Sequence, residues 1–306
     1  MRKKKRIKLP GGKYAAKNVS KLRLIVSEGQ AYVPSINYNS SYMYYDPNKS
    51  TQKNQHQYST DTFDITKLAC FAVTILGAGS VGSHIAHLLA SALLHLNVID
   101  FKKVEHRHTI GGRTIYEPNS IGQYKVDALS KKIQRDHPGA DVTPLRYNVA
   151  EIPDSELQRI FSRSMLVIIA IDDPQQFLRA ADLAYPIVEF IQVALHRGAK
   201  SAHLVFSIPS QTPCLRCTLG VKGPNDIHRL DSESANSFDI IRTAQLAAKF
   251  AIEIVHSKAA DKDITCWNTN KNLIYISNQK GQLSPDGPGL IYEDSLKRPD
   301  CPVCNQ

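Results

Sequence analysis

Two groups of residues carry types and spacings that could do chemistry. Cys214-x-x-Cys217 and Cys301-x-x-Cys304 share one spacing, while Cys70 and Cys266 stand alone. In a chain expected to be cytosolic, paired C-x-x-C units suit a closed tetrahedral Zn2+ site better than disulfides, and a redox dithiol would need only one pair. The gap from 217 to 301 makes the site a staple between distant segments. The second group begins in "VTILGAGSVGSHIAHLLASALLHLNVID", where Gly77-x-Gly79-x-x-Gly82 follows an apolar run and Asp100 lies 18 residues beyond Gly82. One glycine makes a tight turn, one lets a phosphate reach the backbone, and one allows close helix packing; an acid at the next strand's end can accept from ribose hydroxyls. The turn alone does not separate NAD from ATP. Downstream, "IDFKKVEHRHTIGGRTIYEPNSIGQYKVDAL" supplies two cations, Arg113 and Lys125, and "LVIIAIDDP" delivers Asp172 and Asp173. Cations beside a triphosphate suit in-line attack at phosphorus, where charge grows on phosphoryl oxygens, and one of the two carboxylates could hold Mg2+. Asp172 is the expected site residue; Asp173 is the alternative, with a cap on the helix at Pro174 as its plainer role.

These residues need a frame. "CFAVTILG" and "MLVIIAID" are near-continuous apolar runs, as in strands buried on both faces of a parallel sheet. "SHIAHLLASALL", "KVDALSKKIQRDH" and "SELQRIF", the last opened by Ser155, predict helices between strands at "LNVID" and "DVTPLRYNV". "PIVEFIQVAL" and "SAHLVFSIP" predict further strands, and "SFDIIRTAQLAAKFAIEIVHS" the longest helix. The alternation implies an α/β fold, a doubly wound, mostly parallel, Rossmann-like sheet, closed at its C-terminal end by the zinc staple.

Ten of the 38 lysines and arginines lie in the first 25 residues, leaving 28 to match the 28 acids, so the net charge of +10 belongs to an N-terminal arm. A run of this kind is read as a solvated tail or an arm for an acidic partner, not as a nucleic-acid-binding protein. The polar, tyrosine-rich stretch from Ser35 to Asp61 reads as a linker, so the expected division is an arm and linker over 1–64 and a folded domain over 65–306. No stretch of about 18 residues is apolar without a charge or polar break, which argues against a membrane span. The basic start has no apolar region behind it, and the expected compartment is the cytoplasm.

The glycine turn, Asp100, Arg113, the Ile121-Gly-x-x-Lys125 turn, the acid after the fourth buried strand, "PCLRC" and "RPDCPVC" together resemble the ThiF, MoeB and HesA adenylyltransferases, prokaryotic relatives of ubiquitin-activating enzymes. The resemblance covers residues 65 to 306. It implies that MgATP is bound and that the C-terminal glycine carboxylate of a ubiquitin-like or sulfur-carrier protein, or of a small ribosomal peptide, attacks the α-phosphate. Gly77, Gly79 and Gly82 would then pack against the nucleotide, Asp100 would hold its ribose, Arg113 and Lys125 would neutralise phosphate charge, and Asp172 would organise Mg2+. It further implies a homodimer, with Arg23 a candidate for an arginine lent by the partner subunit, and a downstream conjugating or sulfur-transfer partner. His108 stands where the family has an asparagine, with extra residues before Arg113. The segment between Cys217 and the long helix has no further cysteine, which points to direct handover of the adenylate, with Cys266 a buried structural residue. Two other readings compete: a catalytically silent scaffold, and a nicotinamide-dependent oxidoreductase resting on the glycine turn alone.

Overall fold

The structure is a computed structural model. It describes residues 68, 71–92, 94–227, 235–260, 271–281 and 284–305, together with four two-residue strands near the start of the chain. Cys70, Cys266, Arg23 and residues 228–234 of the segment after the first cysteine pair lie outside the described residues. The chain divides into two units, Met1–Lys49 and Ser50–Gln306. In the first, Ile7–Lys8 pairs antiparallel with Tyr14–Ala15, and Val26–Ser27 with Gln30–Ala31.

The second unit is built on eight strands: β1 (Ala72–Leu76), β2 (His95–Ile99), β3 (Asp141–Leu145), β4 (Leu166–Ile169), β5 (Phe190–Leu195), β6 (Ser201–Ser207), β7 (Leu273–Ser277) and β8 (Gly289–Glu293). Their order across the sheet is β8-β7-β6-β5-β4-β1-β2-β3. The five strands from β3 to β5 run parallel, and β6, β7 and β8 follow, each antiparallel to its neighbour. β1 and β4 are wholly or nearly wholly buried, as their unbroken apolar runs require when helices cover both faces. β3 is an edge strand, which is why it tolerates Pro144. β7 and β8 were not anticipated from the sequence, although "LIYIS" and "GLIYE" are short, β-branched or aromatic runs bounded by turn residues.

On one face lie α1 (Ser80–Ala90), α2 (Lys125–Asp136) and the 24-residue α6 (Ser237–Ala260). Val81, Ile85 and Leu89 repeat every four residues and turn one stripe of α1 to the core, and α6, which packs along α1, buries Ala244, Ala247, Ala248 and Ala251 in the same core. On the other face lie α3 (Asp154–Ser162), α4 (Pro174–Ala184) and the short α5 (Leu215–Leu219). α3 begins at Asp154 with Pro153 as its N-cap and no side-chain cap, so Ser155 does not open it. The acids in its first turn, Asp154 and Glu156, take the favourable place at the positive end of the helix instead. Among the described residues no helix is long and apolar enough to cross a membrane.

Candidate active site

The chain reverses its direction of winding between β1 and β4, and in such sheets ligands bind beyond the C-terminal strand ends at that point. A cleft of about 510 Å3 opens there, bordered by Gly77, Gly79, Asp100, Arg113, Lys125 and Asp172. That size is ordinary for a small-molecule or cofactor site.

The three glycines answer three demands. Gly77 has φ +97°, and a Cβ on it would stand 2.5 Å from the carbonyl oxygen of Ala170 just past β4. A Cβ on Gly82 would stand 2.0 Å from the carbonyl oxygen of Gly77, so α1 presses directly on the turn. Nothing lies within 4 Å of a Cβ built on Gly79, and its space is the cleft. Gly79 is also the N-cap of α1 and gives no side-chain cap, which leaves the helix start to an anionic ligand.

Asp100 has a second task. Its Oδ2 accepts from the backbone N–H of Ala78 and its Oδ1 from that of Lys102, both at 2.8 Å. The Tyr116 hydroxyl donates to the carbonyl of Ala78 at 2.7 Å. The peptide groups on both sides of Ala78 are therefore clamped, one by the end of β2 and the other by a buried phenol. Burial and the nearby Asp100 charge hold that phenol's pKa well above the usual range. Tyr116 was not singled out in the sequence, and nothing local marks it: its partner lies 38 residues upstream.

Lys125 is 5% exposed and, among the described residues, the only lysine, arginine, aspartate or glutamate that is buried. Its pKa is lowered, mainly by desolvation, with the charge of Asp100 opposing. A buried ammonium is costly unless an anion compensates it. Arg113 borders the cleft half-buried. Asp172 is exposed at its rim, whereas the neighbouring Asp173 is the N-cap of α4, its Oδ1 accepting from Gln175 N at 3.0 Å and Gln176 N at 3.2 Å. His108 does not border the cleft. Its Nδ1 accepts from the backbone N–H of Glu105 at 2.8 Å, and desolvation, then the Lys125 charge, lower its pKa to about 4, so it is a neutral loop residue. The cleft extends past β4 to the hairpin joining β5 and β6, where His196 and Ala199 face Leu219 and Ile227.

The four paired cysteines meet as the staple reading expects. Their sulfurs all lie within 4.8 Å of one another, with Cys214–Cys301 at 3.5 Å and Cys217–Cys304 at 3.7 Å. A thiolate tetrahedron with metal–sulfur bonds of about 2.3 Å has edges of about 3.8 Å, so the donor set fits such an ion. Backbone N–H groups of Cys214 and Arg298 point at Cys304 Sγ and Cys217 Sγ, both at 3.3 Å, which favours the thiolate form. Arg216, between the first two cysteines, pairs with both carboxylate oxygens of Asp182 on α4 and donates to the carbonyl of Lys222, while Arg298 donates to that of Val221 at 3.2 Å. The cluster thus grips the first residues of the segment that leaves α5 beside the cleft.

Fold and cleft together define a doubly wound α/β protein with its ligand site at the switch point and a cysteine staple beside it. The chain belongs to the ThiF family, whose model matches residues 53–285. It is 24% identical over 165 residues to ubiquitin-like modifier-activating enzyme 5 of Gallus gallus, covering 50% of this chain and 41% of that protein. The same enzyme of Rattus norvegicus gives 23% over 165 residues, 50% of this chain and 40% of that one. The match thus spans about two fifths of the length of these relatives. Among solved structures, Escherichia coli MccB with ATP superposes with a TM-score of 0.62 at 17% identity, over 78% of this chain and 68% of that one. MccB in complex with N-formylated MccA gives 0.63 at 17%, over 78% and 69%. At these identities the likeness to the solved structures is one of fold.

Proposed function

We propose that this protein is an ATP-dependent adenylyltransferase that activates the C-terminal carboxylate of a polypeptide, first among them a ubiquitin-like or sulfur-carrier protein ending in glycine. The observation that carries the reading is the meeting of a buried lysine, a half-buried arginine and an exposed aspartate around an open glycine turn. Adenosine would lie over Gly79 with its ribose at Asp100, between the exposed rings of Phe101 and Tyr147 at the cleft mouth. Lys125 and Arg113 would sit against the phosphates, and Asp172 would hold Mg2+, which supplies further neutralisation of the triphosphate. The carboxylate oxygen would form a bond to the α-phosphorus as the bond to pyrophosphate breaks, giving an acyl adenylate; cations fixed beside the phosphates favour that charge migration. Zn2+ suits the four thiolates as a structural ion. The working unit would be a homodimer in the cytoplasm, and residues 1–64 a segment for binding the protein partner.

A second reading, a small peptide as the substrate, is favoured by the fold likeness to MccB, which is seen with MccA as well as with ATP. Return of label from pyrophosphate to ATP tests both, with a panel of small proteins and of peptides ending in glycine. Exchange that depends on the terminal carboxylate and is lost in Asp172→Ala supports adenylation. Tight ATP binding with no exchange across the panel refutes it and leaves the scaffold; tight NAD binding with none of ATP leaves the oxidoreductase.

A further inference from the structure

Beneath the far end of the cleft runs a line of polar side chains that carboxylate activation does not use. Gln192 on β5 is 0% exposed and His203 on β6 is 9% exposed. Gln192 Oε1 lies 2.9 Å from His203 Nε2, His203 Nδ1 lies 2.8 Å from His196 Nε2, and His196 Nδ1 lies 2.8 Å from Ser201 Oγ. Both histidines border the cleft, and Tyr275 on β7 stands over them with ring centres 6.4 Å away. The Gln192 Nε2 is buried and has no partner among the described residues.

A neutral imidazole has one donor and one acceptor nitrogen, so the direction of any one bond fixes the rest. With the glutamine oxygen toward His203, His203 Nε2 donates to it, His203 Nδ1 accepts from His196 Nε2, and His196 Nδ1 accepts from the Ser201 hydroxyl. With the amide turned over, every bond reverses. Both arrangements make the same three hydrogen bonds and leave one amide atom without a partner, so neither is strongly preferred. Apolar residues here would avoid the penalty of that orphaned group, on the order of 1–3 kcal/mol. The chain of bonds runs from mid-sheet to the cleft, and in the first arrangement its outer lone pair, on His196 Nδ1, is covered only by a hydroxyl that can rotate away.

We propose that His196 is the base for the second half of the reaction, taking the proton released when an amine attacks the acyl adenylate, with His203 and Gln192 as positioning residues. The proposal rests on the adenylation reading above. Among the described residues no cysteine borders the cleft, and the handover considered is to an external amine. The amine nitrogen forms a bond to the carbonyl carbon, and the bond from that carbon to the phosphate oxygen breaks with its electron pair leaving on AMP. The nitrogen's proton passes to His196 Nδ1 and from there to solvent at the cleft mouth. Desolvation lowers the pKa of His196, which keeps it neutral and receptive near pH 7. The groups that share its surroundings are Arg197 and Lys200 on its own hairpin, His203 on β6, Tyr275 on β7 and, across the cleft, Asp172 and Asp173.

The test uses the full chain with MgATP, a synthetic peptide ending in glycine as carboxylate and methylamine as acceptor. Pyrophosphate exchange and methylamide formation are followed from pH 5 to 9 at constant free amine. In His196→Gln, methylamide formation is expected to fall about 100-fold further than exchange, in the range of general-base contributions, and to lose its decline at low pH. Hydroxamate formation with hydroxylamine, which needs no base, should fall no further than exchange. Ser201→Ala, which keeps both rings, should retain the low-pH decline. Equal losses in exchange and amide formation, or an unaltered pH profile in His196→Gln, overturn the proposal and make the line of side chains structural. No exchange by the unmutated chain overturns the adenylation reading itself, and this proposal with it.

Discussion

Lys125→Met should have two effects of opposite sign. The ammonium is nearly inaccessible, and desolvation outweighs the attraction of Asp100, since its pKa lies below the ordinary lysine value. A lysine whose folded-state pKa is depressed destabilises the fold while it is protonated, and that penalty fades as pH rises through the folded pKa. Replacing it by an apolar chain of similar length should therefore stabilise the ligand-free protein at pH 7 by about 1 kcal/mol, or about 2–4 °C in Tm for a domain of this size. Binding should move the other way. Unit charges 4 Å apart at an effective dielectric constant of 20 attract by about 4 kcal/mol. With Arg113 sharing the same phosphates, about 2–3 kcal/mol of that should be lost, a rise in the Kd for MgATP of about 30- to 150-fold. Calorimetric titration with MgATP and thermal unfolding at pH 7 and pH 10 read both effects, and the Tm gain should shrink at the higher pH. A variant that melts lower and binds MgATP as before would make Lys125 a structural lysine and remove the phosphate argument.

Four further outcomes separate neighbouring residues. Asp172→Asn should abolish pyrophosphate exchange without changing the Tm, whereas Asp173→Ala should lose a helix cap of about 1 kcal/mol and melt lower. Gly79→Ala should fold normally and bind ATP weakly, because its methyl would enter the cleft, while Gly82→Ala, whose methyl would meet the Gly77 carbonyl at 2.0 Å, should yield little folded protein. Tyr116→Phe leaves the carbonyl of Ala78 without its donor and should raise the KM for ATP several-fold at a stability loss of about 1–2 kcal/mol, checked by kinetics and melting. Chelation, or Cys301→Ser, should release the metal, measurable by elemental analysis, and lower the Tm by several degrees.

The parts of the site that could be read from the sequence are those whose physics is local. A glycine needed at φ +97°, an acid at a strand end and a C-x-x-C knuckle each announce themselves within a few residues. Asp172 and Asp173 look alike in sequence; the difference is that one carboxylate turns back onto the N–H groups of α4. Tyr116, the His196–His203–Gln192 line and the arginine grip on Val221 and Lys222 depend on partners brought together by the sheet, and no spacing foretells them. The same holds for β7 and β8, whose short runs become strands because β6 offers them an open edge.

The two halves of the cysteine cluster, 87 residues apart between Cys214 and Cys301, also set an order of assembly. Every strand of the sheet precedes Cys301 in the chain, so during synthesis the first knuckle emerges with half its donors missing and must wait while α6, β7 and β8 are made. Long-range closure of this kind comes late in folding. Metal capture would then act as a seal on a sheet already formed, and a chain interrupted before Arg298 should leave the ribosome with the segment beside its cleft held by Arg216 alone.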